Sequence, residues 1–376
     1  MKRVLITAFA IVWLLPAMWP REASPHNPIT TTVLFNREIS KVLAEKCLAC
    51  HVDGSLAMPL VTYQEARPWA VAIKEEVLAR HMPPWPAARG FSEFSNDVGL
   101  TARELQFLIS WIDGGAPEGT GEPPAFADHG SHWMLGQPDA LLTVTGAAPI
   151  EPNSGIGFKR MTVDTGFTTD RWVRGIDYKP GAAGKRVARA AFFTIAGTGQ
   201  YLGAWTPWST STQWPDGVAV RVPARSRIAV DVLYQNAESA VVDAPSVGLY
   251  FADERMPRPV NDIVLGGGNL GGNTVRQELR ADTVLLAIRP EAIPPGASLE
   301  VSAKRPDGSS QVLLWVPKSR PEWPTAYTFK QPPTFPKGST LRASVHATTA
   351  DGSGMPFRIT VSTAAPSASP RRATTP

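Results

Sequence analysis

Cysteine is nearly absent: the 376-residue chain has two, at positions 47 and 50. An exported fold held by disulfides needs more of them, at wider spacing, so cross-linking is not what this pair is for. Histidine is scarce too, with six in all and none between His132 and His346. Charged residues make up only 19%, and the formal net charge is +4, part of it at the termini in Lys2, Arg3, Arg371 and Arg372. No lysine–arginine stripe forms, which argues against nucleic acid as a partner. Long apolar runs are also missing. The one from Val4 to about Trp19, broken by Pro16, is shorter than the roughly 20 residues a membrane-spanning helix needs.

That run follows Lys2 and Arg3, so residues 1–24 read as an export signal, with a retained N-terminal anchor as the alternative. Membrane association is expected only through an uncleaved N-terminus. The chain is accordingly placed in the periplasm, or otherwise outside the cytoplasm. Proline and glycine, 36 and 31 residues, fall mostly after the first third, which suits a loop-rich β region.

Residues 33–118 carry helical periodicity. Ile39, Val42 and Leu43 share a face of Arg37–Leu48, Glu65–Ala79 is a second helix with Pro68 in its first turn, and Leu105, Leu108, Ile109 and Ile112 form a third stripe. Thr101 and Glu104 make a capping box for that third helix, and Gly114 and Gly115 end it. A Gly-, Pro- and Glu-rich linker covers 119–137. Short alternating or β-branched stretches then recur between turn residues, as in β-sandwiches. They are Ala140–Val144, Val218–Val222, Ile228–Val232 and Ser246–Phe251 in a block over 138–261, and Thr283–Ala287, Ser298–Ser302, Ser310–Val316 and Thr340–Ala347 over 262–363. Residues 364–376 read as a disordered tail. The fold class expected is multidomain, a small all-α domain followed by tandem antiparallel β-sandwiches.

Cys47-Leu48-Ala49-Cys50-His51 is the attachment signal of haem c. Two thiols separated by two residues match the two vinyl groups, and the adjoining His51 becomes the proximal iron ligand. A zinc half-site would need two further ligands at matching spacing, and a thioredoxin-like pair would not require the histidine. One covalent haem c is therefore expected, bound by Cys47, Cys50 and His51. For the distal face of the iron the candidates are Met82, His81 and Met58, or an open site. Met82 is preferred, because Pro83 and Pro84 hold its segment extended after the second helix and a thioether opposite histidine is the usual arrangement. It favours the reduced iron and fills the coordination sphere, which suits electron transfer.

The motif, with Pro59-Leu60, Ala66-Arg67-Pro68-Trp69-Ala70, Met82-Pro83-Pro84-Trp85 and Trp111-Ile112-Asp113-x-Gly115-Ala116-Pro117-Glu118-Gly119, resembles a bacterial cytochrome c module. In the family concerned, that module is fused to copper type II, ascorbate-dependent monooxygenase-like domains. The resemblance implies that the methionine of the Met-Pro-Pro-Trp segment is the distal ligand. Asp170-Arg171-Trp172-Val173, Phe192-Phe193, Trp205-Thr206-Pro207, Pro215-Asp216-Gly217 and Pro336-Lys337-Gly338-Ser339 extend it, less specifically, to the tandem jelly rolls of peptidylglycine α-hydroxylating monooxygenase relatives. The implied copper ligands do not follow. Where the family has histidines, this chain has Ala188-Arg189, Leu233-Tyr234-Gln235 and Pro290-Glu291-Ala292-Ile293. Type II copper needs imidazole-rich sites, so copper is not expected.

The reading is thus an exported haem protein that transfers electrons to a redox partner protein, with the sandwich pair as scaffold or docking surface. A copper oxygenase would have to recruit Met355, Glu291 or an N-terminal amine. A third reading is a binding or subunit-docking module. Trp205, Trp208 and Trp214 fall in one Pro- and Ser-rich loop, either as a contact patch or as a structural cluster. His129 and His132 form a weak H-x-x-H pair. Arg186 and Arg189 stand where copper would be held, as an anion-binding or charge-paired site or as plain surface arginines. No nucleophile arrangement or phosphate loop is present, and no catalytic residue is assigned.

Overall fold

A computed structural model of the chain describes residues 30–123, 133–144, 149–209, 211–267, 273–347 and 357–367. The expected signal or anchor, His129, His132 and Met355 lie outside the described residues. So does the tail beyond residue 367.

The first region is helical. A π-turn, Phe35–Ile39, leads into α1 (Ser40–Lys46), and Phe35, Ile39, Val42 and Leu43 are buried along that face. The helix expected over Glu65–Ala79 begins earlier and is split. Thr62 and Glu65 form a capping box on α2 (Tyr63–Ala66), a 3₁₀ turn covers Arg67–Trp69, and α3 (Ala70–Leu78) follows. Pro68 lacks an N–H, so the helix tightens around it and resumes. In α4 (Ala102–Asp113), Thr101 and Glu104 cap as the sequence predicts, and Leu108 and Trp111 are fully buried. The Trp111 indole N–H donates to Pro117 O at 2.9 Å, and Phe35 N–H donates to the same oxygen at 3.1 Å. These bonds close the region on itself.

Beyond residue 138 the chain forms four mainly antiparallel sheets, arranged as two sandwich-like pairs. In the first pair, one sheet runs Ala140–Thr143, Ser246–Phe251, Arg171–Lys179, Val218–Val222, Arg258–Pro259, and the other Gly157–Asp164, Arg227–Tyr234, Ala188–Ile195, Tyr201–Trp205. Both contribute to one apolar core. In the second pair, Asn261–Gly266, Arg358–Ala364, Thr283–Ala292 and Tyr327–Thr328 face Thr274–Glu278, Thr340–His346, Ser298–Lys304 and Ser310–Val316. Leu286, Ala287, Ala326 and Ala364 pack into the core of the first pair, so the two pairs abut. Order reaches past the expected start of the tail: Ala364 ends a strand, and Ala365 O accepts from Arg258 at 2.7 Å.

One segment leaves its expected region. Trp85, Ala87 and Phe94 lie within 33–118 in sequence but are buried in the core of the second pair of sheets. The tryptophans offered as a contact patch are corrected by burial: Trp205, Trp208 and Trp214 are all interior. They pack on Tyr178, Trp323 and Tyr201 respectively. Their role is structural, each in its own packing site.

Candidate metal centre

The motif sits where α1 ends. Cys47 caps the helix, its N–H donating to Leu43 O at 2.8 Å. The N–H groups of Cys50 and His51 both donate to Cys47 O at 3.1 Å. One tight turn therefore brings the backbones of Cys47, Cys50 and His51 together. The cysteines are half-buried and not joined in a disulfide. Burial pushes each thiol up to about 12, so both are neutral in the folded chain.

His51 is the better defined ligand. Its Nδ1 lies 3.0 Å from Met58 O, and a carbonyl only accepts, so the proton sits on Nδ1. The lone pair is then on Nε2, free to bind iron, which is the support a ligating histidine usually has. Burial lowers the pKa of the ring and so favours the neutral form that binds metal. Bonds from Ala57 N–H to Cys50 O, 3.2 Å, and from Leu60 N–H to His51 O, 2.9 Å, close the loop. The sequence reading missed the Met58 carbonyl, which no residue-type signal announces.

This donor set fits a haem c. Two sulfurs and one oriented imidazole are supplied, and the second axial position needs only one more side chain. Among the described residues, no group of three or more His, Cys, Asp and Glu is placed to hold a metal ion, Cys47, Cys50 and His51 included. Met82, half-buried, is not part of the turn. It follows α3, where Glu76 O accepts from the N–H groups of His81 at 2.8 Å and Met82 at 3.3 Å. The His81 ring turns to the Glu76 carboxylate, Nδ1 to Oε2 at 3.2 Å.

The motif loop rests on the first pair of sheets. Gln235 donates from Nε2 to Leu56 O at 3.3 Å and to Arg186 O at 2.8 Å, and its Oε1 accepts from Arg189 Nε at 3.1 Å. The Arg189 guanidinium stacks 4.1 Å above the Trp323 ring and lies within electrostatic reach of the Cys50 sulfur. Gly54, at φ +70°, presents no side chain to Arg186: an added Cβ would come within 3.8 Å of its guanidinium. Arg189 and Gln235, distant in sequence, are thus brought together beneath the loop. A cavity of about 340 Å³ remains at this contact, walled by Leu48, Ala49 and Gly54 on one side and Lys185, Ala188 and Trp205 on the other.

The third position, Glu291, is not free to ligate. Its carboxylate pairs with Arg289 and with Arg358 Nε at 2.7 Å, and accepts from Thr360 at 2.5 Å. Burial alone would raise its pKa, but the two arginines and Thr360 carry it below the usual value. Arg189, Gln235 and Glu291 offer no imidazole, so they do not fit a type II copper. Glu291 lines the larger cavity, about 760 Å³, between the two pairs of sheets, and none of Cys47, Cys50, His51 or Met82 is in its wall.

No family model matches the chain, and no curated protein does. Among solved structures, the cryo-EM structure of broad bean stain virus is 10% identical, covering 60% of this chain and 87% of that one at a TM-score of 0.21. So low a score carries no argument about fold or function.

Proposed function

We propose that the protein is an exported c-type cytochrome carrying electrons on one covalent haem. Cys47 and Cys50 would hold the haem through thioethers, and His51 through Nε2 and Met82 through its thioether would be the iron ligands. The observation that carries this reading is the turn itself, with both sulfurs and a tautomer-fixed imidazole on five consecutive residues. When bound, the haem supplies a one-electron iron couple. The chain's own part is to hold the imidazole in orientation through Met58 O and to keep a cation, Arg189, within electrostatic reach of Cys50.

Met82 is preferred over its rivals. Met58 supplies its carbonyl to the Nδ1 edge of His51, away from the ligating nitrogen. His81 meets the Glu76 carboxylate through Nδ1, which leaves its Nε2 able to ligate, so the preference for Met82 over His81 rests on the Met-Pro-Pro-Trp resemblance. On this reading the paired sheets are a scaffold and docking surface in the style of copper-less monooxygenase-like jelly rolls, and the partner is another redox protein. An extracytoplasmic location belongs to the same proposal. Among the described residues no helix is long and apolar enough to cross a membrane.

The test is an optical spectrum in both redox states, with iron and copper counted on the purified protein. One iron, no copper and a reduced haem c spectrum are expected. Stoichiometric copper beside iron would favour an oxygenase and overturn the proposal. The cavity of about 760 Å³ favours a second reading, in which the sheets also bind a ligand.

A further inference from the structure

Met82 is followed by Pro83, Pro84, Trp85 and Pro86, and the chain then runs onto the second pair of sheets. Trp85 is only 7% exposed. It packs edge-on against Tyr327, with ring centroids 5.1 Å apart, and against Phe94 at 6.0 Å. Phe94 in turn lies 5.3 Å from Tyr327 and 5.3 Å from Phe329. Backbone bonds fasten the same stretch: Ala88 N–H to Trp315 O at 2.8 Å, Ser95 N–H to Thr328 O at 2.8 Å, and Lys330 N–H to Glu93 O at 2.9 Å. Asn96 adds two more, donating to Ala326 O at 2.6 Å and accepting from Thr328 N–H at 3.2 Å. Residues 85–98 form a strap that belongs, by packing, to the far end of the chain.

Met82 stands between this strap and the end of α3, where Glu76 O accepts its N–H. Only Pro83 and Pro84 separate it from Trp85. Each proline ring fixes one backbone angle, so a displacement of Trp85 is passed along rather than absorbed. Methionine has a flexible side chain, and a flexible ligand is held at a metal only when its backbone is placed for it.

We infer that Trp85, anchored among Tyr327, Phe94 and Phe329 in the second pair of sheets, is a positioning residue that places Met82 on the iron. The inference rests on the haem reading with Met82 as distal ligand. It assigns the β region a task inside the electron-transfer centre itself, apart from docking.

The experiment uses the full-length protein with haem attached, in the ferric state. Its readout is the weak far-red charge-transfer band of methionine-ligated haem, measured per covalently bound haem. Trp85→Ala should lower that band at least three-fold while covalent haem stays at the wild-type amount, and Trp85→Phe should restore most of it. Phe94→Leu is the milder cut, kept in case Trp85→Ala fails to fold, and should lower the band in a folded protein. A full-intensity band in folded Trp85→Ala or Phe94→Leu overturns the inference alone. Wild-type protein that holds covalent haem but lacks the band overturns the Met82 assignment and this inference together.

Discussion

The Nδ1 nitrogen of His51 stands 3.0 Å from the carbonyl oxygen of Met58. That single contact fixes the tautomer and leaves the ring's lone pair on Nε2. It engages only the Met58 backbone, so Met58 and Met82 are told apart by substitution. Met58→Leu keeps the carbonyl, so it should leave the distal ligand band and the redox potential nearly unchanged. Met82→Ala should abolish the band and lower the potential, since loss of the thioether favours ferric iron. Unchanged ferric spectra in Met82→Ala would move the ligand elsewhere, and His81→Ala would then be the next variant to record.

Covalent attachment is tested separately from ligation. In the double variant Cys47→Ala, Cys50→Ala, acidified organic solvent should extract all haem, whereas the wild type retains it. Haem staining of a denaturing gel reads the difference. Wild-type protein made with a haem-attachment system yet carrying no haem on that gel would defeat the central proposal.

Arg189 is a half-buried cation within electrostatic reach of Cys50, and burial lowers its own pKa. A fixed positive charge near the haem penalises the ferric state, which carries one more positive charge than the ferrous. Arg189→Gln should therefore lower the midpoint potential, and Arg189→Lys should lower it less. A three-fold change in the ferrous-to-ferric ratio corresponds to about 28 mV, on 59 mV per tenfold for one electron. Spectroelectrochemical titration decides the matter, and a potential that rises in Arg189→Gln contradicts it.

Glu291 gives a pH dependence with a definite sign. Its carboxyl titrates lower in the folded chain than in the unfolded one, because Arg289, Thr360 and Arg358 favour the ionised form against the cost of burial. The unfolded state therefore binds more protons across that window. The ionised group contributes stability above its unfolded pKa of about 4.5 and loses it as pH falls through the lower, folded value. Glu291→Gln should cost roughly 1–3 kcal/mol near neutral pH, leaving Arg289 without its carboxylate. Urea unfolding at several pH values should show that difference shrinking below about pH 4.

Local signals were the legible part of this chain. The Thr101–Glu104 capping box, the strands Val218–Val222, Ser246–Phe251 and Ser310–Val316, and the Cys47–His51 turn are all where short-range pattern puts them. Strands such as Gly157–Asp164 and Arg171–Lys179 escaped the reading. Gly157–Asp164 mixes lysine and arginine into a solvated face, and Arg171–Lys179 carries a glycine and a buried aspartate, so neither shows the β-branched alternation that marks a strand. The burial of Trp205, Trp208 and Trp214 was equally hidden, because a tryptophan looks the same in sequence whether it faces water or a core. Of the proposed centre, sequence supplies the candidate ligands but not the groups around them. The contacts of Met58 O, Gln235 with Leu56 O, and Trp85 with Tyr327 involve backbone oxygens or distant partners.

The strap also bears on the order in which the molecule is made. Ser95 and Thr328 are 233 residues apart in the chain, yet they are joined by hydrogen bonds. As the polypeptide emerges from its N-terminus, α1 and the Cys47–His51 turn have every local partner they need. Residues 85–98 do not, because the residues they dock on, among them Trp315, Ala326 and Thr328, are synthesised much later. Such distant pairings form late, since a long stretch of chain must be closed before they are rewarded. A segment made early is therefore completed late.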